Sequence, residues 1–298
     1  MNHLQHVCII GGGFMGTALT KYFLDAHIKV SLYEGFIARR QELMADKAFQ
    51  EVLFLKSIEE CKDVDFIIEA ITEDLHAKKQ LFKSIEEYFP TSTTFCTNTS
   101  SYLISSIAEN VTHKERVIGT HFFSPAHITP LVEVVPSAFT DEHHIQKTMS
   151  FLQSINKKPV LLKKEIQGFV ANRLQSALSR EAMSLVQNGI VSPEELDFIA
   201  KWSLGIRLAN TGPLEQRDIN GIDTHMAIAK YVYPTLENGI EPLTIHEQLI
   251  ENNRFGMKTN EGFYDWSTID KKHYLAHKEE ILSNVIRAVS AQDEEVNK

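Results

Sequence analysis

The run Val7-Cys8-Ile9-Ile10, followed at once by Gly11-Gly12-Gly13-Phe14-Met15-Gly16, limits the possible folds of this chain more than any other feature. A short apolar run that breaks into glycines at GxGxxG spacing and continues as helix-forming sequence requires a strand, a tight turn and a helix packed back on the strand. Gly11 allows the turn, Gly13 lets backbone approach a phosphate, and Gly16 permits close contact between helix and strand. Phe14 and Met15 open the helix, so their amides face a bound anion. Glu34 ends the next β-rich run, roughly 20 residues further on, where an acid hydrogen-bonds the ribose of a dinucleotide. A carboxylate there would repel a 2′-phosphate, which favours NAD over NADP. Arg39 and Arg40, in the following helix, read as solvated surface arginines.

Short β-rich runs alternate with helical stretches through the first half, at Val7–Ile10, Val30–Tyr33, Asp65–Glu69, Thr94–Thr97, Val117–Phe122, Leu131–Val135 and Val160–Lys163. This alternation predicts an α/β, doubly wound and mostly parallel sheet with helices on both faces. After Gly168 the apolar period becomes helical through Phe169-Val170, Leu174, Leu178, Ala182 and Leu185-Val186, ending near Asn188-Gly189. Ser192-Pro193-Glu194-Glu195 reads as a helix cap with proline at the first helical position. Further helices are expected near Asp223 and Thr244. The expected organisation is a dinucleotide-binding domain over residues 1–166 and an all-helical domain over 167–298. One more helix is expected after Trp266, fraying over the polar stretch from Ser290 to Lys298.

Composition excludes several classes. A net charge of −9 with scattered lysine doublets leaves no footprint for nucleic acid. No apolar segment approaches the roughly 20 residues of a membrane span. No basic leader precedes the first strand, so a cytoplasmic protein is expected. Cys8, Cys61 and Cys96 form no CxxC pair and read as structural thiols. The histidines have no metal-ligand spacing such as HExxH, so no metal is implied.

Several motifs in order along the chain resemble the L-3-hydroxyacyl-CoA dehydrogenase family. They are Gly11–Gly16, Ile68-Glu69-Ala70-Ile71-Thr72-Glu73, Asn98-Thr99-Ser100-Ser101, His121-Phe122-Phe123-Ser124-Pro125, Leu131–Val135, Gly168–Arg173, Gly212-Pro213-Leu214-Glu215 and Glu261-Gly262-Phe263-Tyr264. The resemblance implies a Rossmann-like domain, a homodimer joined by the helical domain and reversible NAD-linked oxidation of a 3-hydroxyl to a 3-ketone. It implies His121 as the base, Glu133 as its carboxylate partner, and Ser100 with Asn172 as hydrogen-bonding groups for the substrate oxygen. Glu73, Lys78 and Asn98 match positions that contact the nicotinamide half of the cofactor. The chemistry agrees: removing hydride from a secondary carbinol needs a base near neutral pH, and a carboxylate on the other imidazole nitrogen holds the tautomer. Each residue also has a plainer reading. Glu133 could face water, Ser100 could cap a helix, and Asn172 could sit on a polar helix face.

The chain departs from the family at three points. Between Glu34 and Phe66 it is shorter by roughly a helical hairpin, the arm that commonly contacts coenzyme A. Ser124 replaces the usual asparagine of HFFNP. Arg207 stands where acyl-CoA enzymes carry apolar or aromatic residues, and an arginine fork can bind a carboxylate. The expected substrate is a short-chain L-3-hydroxyacyl-CoA, with Ser100, Ser124 and Arg207 as candidate contacts. The alternatives are a small free 3-hydroxy acid, as in the related gulonate and carnitine dehydrogenases, and a non-catalytic NAD-binding protein.

Overall fold

Four runs with little or no alternation form the middle of an eight-stranded sheet: β1 (His6–Ile10), β4 (Phe66–Glu69), β5 (Thr94–Thr97) and β6 (Val117–Phe122), every residue of them buried. Strands covered on both faces need no solvated side, which explains why they are mostly apolar and why their few polar residues, such as Thr94, Thr97 and Thr120, are buried as well. β2 (Lys29–Tyr33), β3 (Leu53–Leu55), β7 (Leu131–Pro136) and β8 (Lys158–Leu161) complete the order β3-β2-β1-β4-β5-β6-β7-β8. The computed structural model describes residues 5–296, with side chains to Ala291. All neighbouring strands are parallel except β6 and β7.

β3 was not anticipated, because three residues carry too little period to register. β8 begins two residues before the expected Val160, since its register against Leu131 starts at Lys158.

Five helices flank the sheet: α1 (Phe14–Asp25), α2 (Ile37–Ala45), α3 (Leu75–Ile85), α4 (Ile104–Ile107) and α5 (Glu142–Ser154). One face of the sheet buries Val7, Ile9, Phe23, Leu32, Phe66 and Phe151, with Phe66 and Phe151 stacked at 4.4 Å. The other buries Cys8, Ile10, Ile67, Phe82, Phe95 and Phe169. All three cysteines are free and buried, and burial pushes the Cys96 thiol up to about 12, which leaves it unreactive.

The chain divides into two compact units at Asn172/Arg173. Residues 168–172 belong with the sheet because the Gly168 amide donates to Ser101, Phe169 is fully buried, and the amides of Val170 and Ala171 donate to Glu133.

The second unit contains most of α6 (Ala171–Gln187), then α7 (Pro193–Ile199), α8 (Ile206–Asn210), α9 (Pro213–Asn220), α10 (Ile222–Val232), α11 (Thr244–Glu251) and α12 (Lys271–Val296). Gly189, in the left-handed region at φ +67°, stops the run that follows α6. Ser192 and Glu195 cap α7 reciprocally, as their spacing predicts. A π-helical stretch, Ala200–Gly205, joins α7 to α8. The polar end of α12 is helical through Val296 and does not fray from Ser290, consistent with the helix-forming alanine, glutamine and glutamates in that stretch. The expectation for Asn297 and Lys298 lies outside the described residues. No helix among the described residues is long and apolar enough to cross a membrane.

Candidate active site

The carboxyl ends of β1, β2, β4, β5 and β6 carry nearly all the residues singled out above. That edge is where a doubly wound sheet of order 3-2-1-4-5-6 binds its ligand.

Gly11 lies at φ +108°, and a Cβ there would stand 2.6 Å from the Ala70 carbonyl oxygen. A Cβ on Gly16 would come within 1.8 Å of the Gly11 oxygen, so only glycine lets α1 approach the turn. Gly13 has open space where its Cβ would project, and α1 has no side-chain cap at its amino end. Unfilled space beside uncapped amides fits a pyrophosphate. Glu34 accepts the Gly12 amide at 2.7 Å and the Phe36 amide at 2.8 Å, which fixes its carboxylate at the end of β2 beside the glycine turn. Arg39 and Arg40 are half-buried rather than solvated: Arg39 donates to the Gly12 carbonyl and Arg40 to that of Glu34. Arg39 thus braces the glycine loop and Arg40 the residue that follows β2. Phe14 is 72% exposed at the mouth of the site, with Met15 half-buried behind it.

The antiparallel register of β6 and β7 sets His121 directly opposite Glu133. His121 Nδ1 lies 2.9 Å from Glu133 Oε2, and both residues are 3% exposed. A carboxylate only accepts, so Nδ1 carries the proton and Nε2 keeps its lone pair. Glu133 Oε1 takes two further donors, the amides of Val170 and Ala171, each at 3.0 Å. Burial pushes the Glu133 carboxyl up, but His121 and these two amides outweigh it and hold the group below the usual carboxylate range. Phe169 packs its ring 5.6 Å from the imidazole and Phe123 lies at 4.5 Å, so the histidine has little room to rotate. Phe169 sits at φ +50°, a conformation costly for a bulky residue, and it aims the next two amides at Glu133.

The Asn98–Ser101 turn leaves β5 next to this pair. Glu73 Oε1 accepts from the Thr99 hydroxyl, the Ser100 amide, the Ser101 amide and the Ser101 hydroxyl at 2.6–3.1 Å. Burial raises the Glu73 carboxyl, yet the Thr99 hydroxyl, the Lys78 charge and the other donors bring it below its ordinary value. Lys78 is 1% exposed, bonded to Glu69 at 2.6 Å and 3.3 Å from Glu73 Oε2. Asn98 Oδ1 accepts the Phe122 amide, tying the end of β5 to the residue after His121. Asn172 Nδ2 donates to the Ser100 carbonyl at 2.8 Å, and no described residue engages the Ser100 hydroxyl. Ser124 is exposed just beyond β6. Arg207 belongs to the second unit, where its Nε donates to Ser203 one turn earlier in the helical run.

Two contributors escaped the sequence reading. Glu69 is a wholly buried acid at the end of an apolar strand, a signal available but not used. The Phe169 conformation had no signal beyond the adjacent Gly168.

A dinucleotide cradle at the ends of β1 and β2, with a buried histidine–carboxylate pair on β6 and β7 of the same sheet, defines an NAD-dependent oxidoreductase acting on CH–OH donors. Residues 36–166 match the family model for the 3-hydroxyacyl-CoA dehydrogenase NAD-binding domain, and residues 168–266 match its C-terminal domain. The chain belongs to the 3-hydroxyacyl-CoA dehydrogenase family. It is 31% identical to a 3-hydroxybutyryl-CoA dehydrogenase of Clostridioides difficile over 88% of this chain and 99% of that one. The solved structure of 5-formyl-3-hydroxy-2-methylpyridine 4-carboxylic acid 5-dehydrogenase, described as an NAD+-dependent dismutase, is 26% identical. It covers 97% of this chain and 99% of its own, with a TM-score of 0.90. FadB2 of Mycobacterium tuberculosis, also 26% identical, covers 89% of this chain and 100% of its own, with a TM-score of 0.73.

Proposed function

We propose that this enzyme transfers hydride between NAD and the hydroxyl-bearing carbon of a small substrate that carries its own free carboxylate. The cofactor, when bound, accepts or returns the hydride. His121 Nε2 takes the hydroxyl proton in oxidation and gives it back in reduction, while Glu133 holds the tautomer and stabilises the imidazolium. The Ser100 hydroxyl and the Asn172 amide hydrogen-bond the substrate oxygen. Glu73 and Asn98 contact the nicotinamide half of the cofactor, and Lys78 acts there through Glu73.

One observation carries the choice of a free acid. The segment between β2 and β4 contains a single nine-residue helix, α2, with short turns and β3, so the hairpin arm that serves coenzyme A is missing. The near end-to-end likeness to an enzyme named for a pyridine carboxylic acid supports the same reading. Arg207 and Ser124 are the candidate carboxylate contacts. The second reading is a short-chain 3-hydroxyacyl-CoA, favoured by the 31% identical relative named for 3-hydroxybutyryl-CoA.

Consumption of NADH measured with acetoacetyl-CoA and with a panel of free keto and aldehyde acids separates the two. Free acids are expected to turn over at least about tenfold more efficiently, and Arg207→Ala should remove that advantage. Turnover confined to the thioester would reject the free-acid reading.

The working form we infer is a homodimer joined through the second unit. Among its described side chains, residues 173–291, no apolar one is buried, and Phe198, Trp202, Ile228 and Tyr231 are each more than half exposed. A helical unit of this size needs a buried apolar core to be stable, so a second copy is the natural cover. Sedimentation at micromolar concentration should give a species near twice 33.9 kDa. A monomer alone would refute it.

A further inference from the structure

Beneath the Ser100 turn lies a buried charge cluster that hydride transfer itself does not require. Glu69, at the carboxyl end of β4, is fully buried and accepts from Lys78 Nζ at 2.6 Å, the Thr97 hydroxyl at 2.6 Å and the Ile71 amide at 2.8 Å. Its named partners all donate, and Glu73 likewise accepts from Thr99, Ser100, Ser101 and Lys78. A carboxylate can only accept, and each of these two meets only donors. Two carboxylates therefore face one ammonium, and the cluster carries one surplus negative charge.

The position of that charge gives it a consequence. The strand order reverses between β1 and β4, and a doubly wound fold seats a dinucleotide across that switch point. Glu34 marks the adenosine half at the end of β2. With the nicotinamide half at Glu73 and Asn98, as proposed above, the β4–β5 end that also carries Glu69 and Lys78 lies on that side of the cofactor. An oxidised nicotinamide ring is cationic and the reduced ring is neutral, so a surplus negative charge in a poorly hydrated site distinguishes the two redox forms.

We propose that Glu69 sets the redox preference of the cofactor site: its buried charge, transmitted beside Lys78 and Glu73, strengthens binding of NAD+ relative to NADH. Glu69 is a positioning and electrostatic residue, since it touches neither substrate nor cofactor directly. The inference depends on NAD as cofactor and is independent of which substrate the enzyme uses.

The test compares dissociation constants of the full-length protein for NAD+ and NADH, by calorimetry and by NADH fluorescence. Glu69→Gln keeps the shape and removes the charge. The ratio Kd(NADH)/Kd(NAD+) is expected to fall by about threefold or more relative to wild type. Thr97→Val deletes the hydrogen bond to Glu69 and the one accepted from the Thr99 amide without changing charge, so it should leave the ratio unaltered. If circular dichroism shows that Glu69→Gln does not fold, Glu73→Gln removes the same unit charge from a partly exposed side chain and should lower the ratio likewise. A fall smaller than about threefold in the folded charge variant, or an equal fall in Thr97→Val, would overturn the proposal.

Discussion

Replacing His121 by glutamine is expected to lower kcat by about 10²–10⁴-fold while leaving the dissociation constant for NADH within about twofold of wild type. Glutamine keeps a polar group of similar reach but cannot take a proton from a carbinol. The split between turnover and cofactor binding follows from the geometry. His121 stands at the end of β6, whereas the glycine turn and Glu34 stand at the ends of β1 and β2. The measurement is steady-state turnover in both directions beside an NADH fluorescence titration. Near-normal turnover would remove His121 from the role of base.

Glu133→Gln is expected to be almost as damaging, for a different reason. The glutamine carbonyl can still accept the amides of Val170 and Ala171, but its NH₂ then faces His121 Nδ1. A donor there forces Nδ1 to become the acceptor and puts the proton on Nε2, the nitrogen that should receive one. Turnover should drop by about 10²–10³-fold, with the folded state destabilised by only about 1 kcal/mol. Glu133→Ala would leave both amides unsatisfied and should cost about 2–4 kcal/mol. A pH-dependent signature accompanies these variants. The Glu133 carboxyl is held below its ordinary value in the folded protein, so the stability it contributes is complete above the usual carboxylate range and is lost as pH falls through its lowered value. The difference in Tm between wild type and Glu133→Gln should shrink on acidification below about pH 4. A difference that stays constant down to pH 2 would show that the carboxylate is not selectively stabilised by folding.

Much of the first unit was legible in the sequence because its signals are local. A buried parallel strand is mostly apolar or β-branched, a GxGxxG turn follows β1, and an acid ending β2 falls beside that turn. Seven of the eight strands announced themselves this way. β3 is too short to do so, and the last turns of α12 stay helical despite their polar composition. The pairing of His121 with Glu133 was suggested by the motifs, but its 2.9 Å contact depends on an antiparallel register between two strands.

The sequence alone determined the class of fold and the cofactor, and it nominated His121 as the base through the family motifs, since each signal depends on residue type at a fixed local spacing. Only the tertiary structure decided how the charges are distributed. Lys78 is enclosed by Glu69 and Glu73. Arg39 ties to the Gly12 carbonyl of the glycine loop and Arg40 to the Glu34 carbonyl, so neither is a purely solvated arginine. Asn98 clips β5 to β6, and Glu133 satisfies two amides as well as the imidazole. A hydrogen bond joins atoms about 3 Å apart in space and leaves no periodic trace along the chain. Spacing in sequence can nominate a charged residue, but only the packed strands fix its partners.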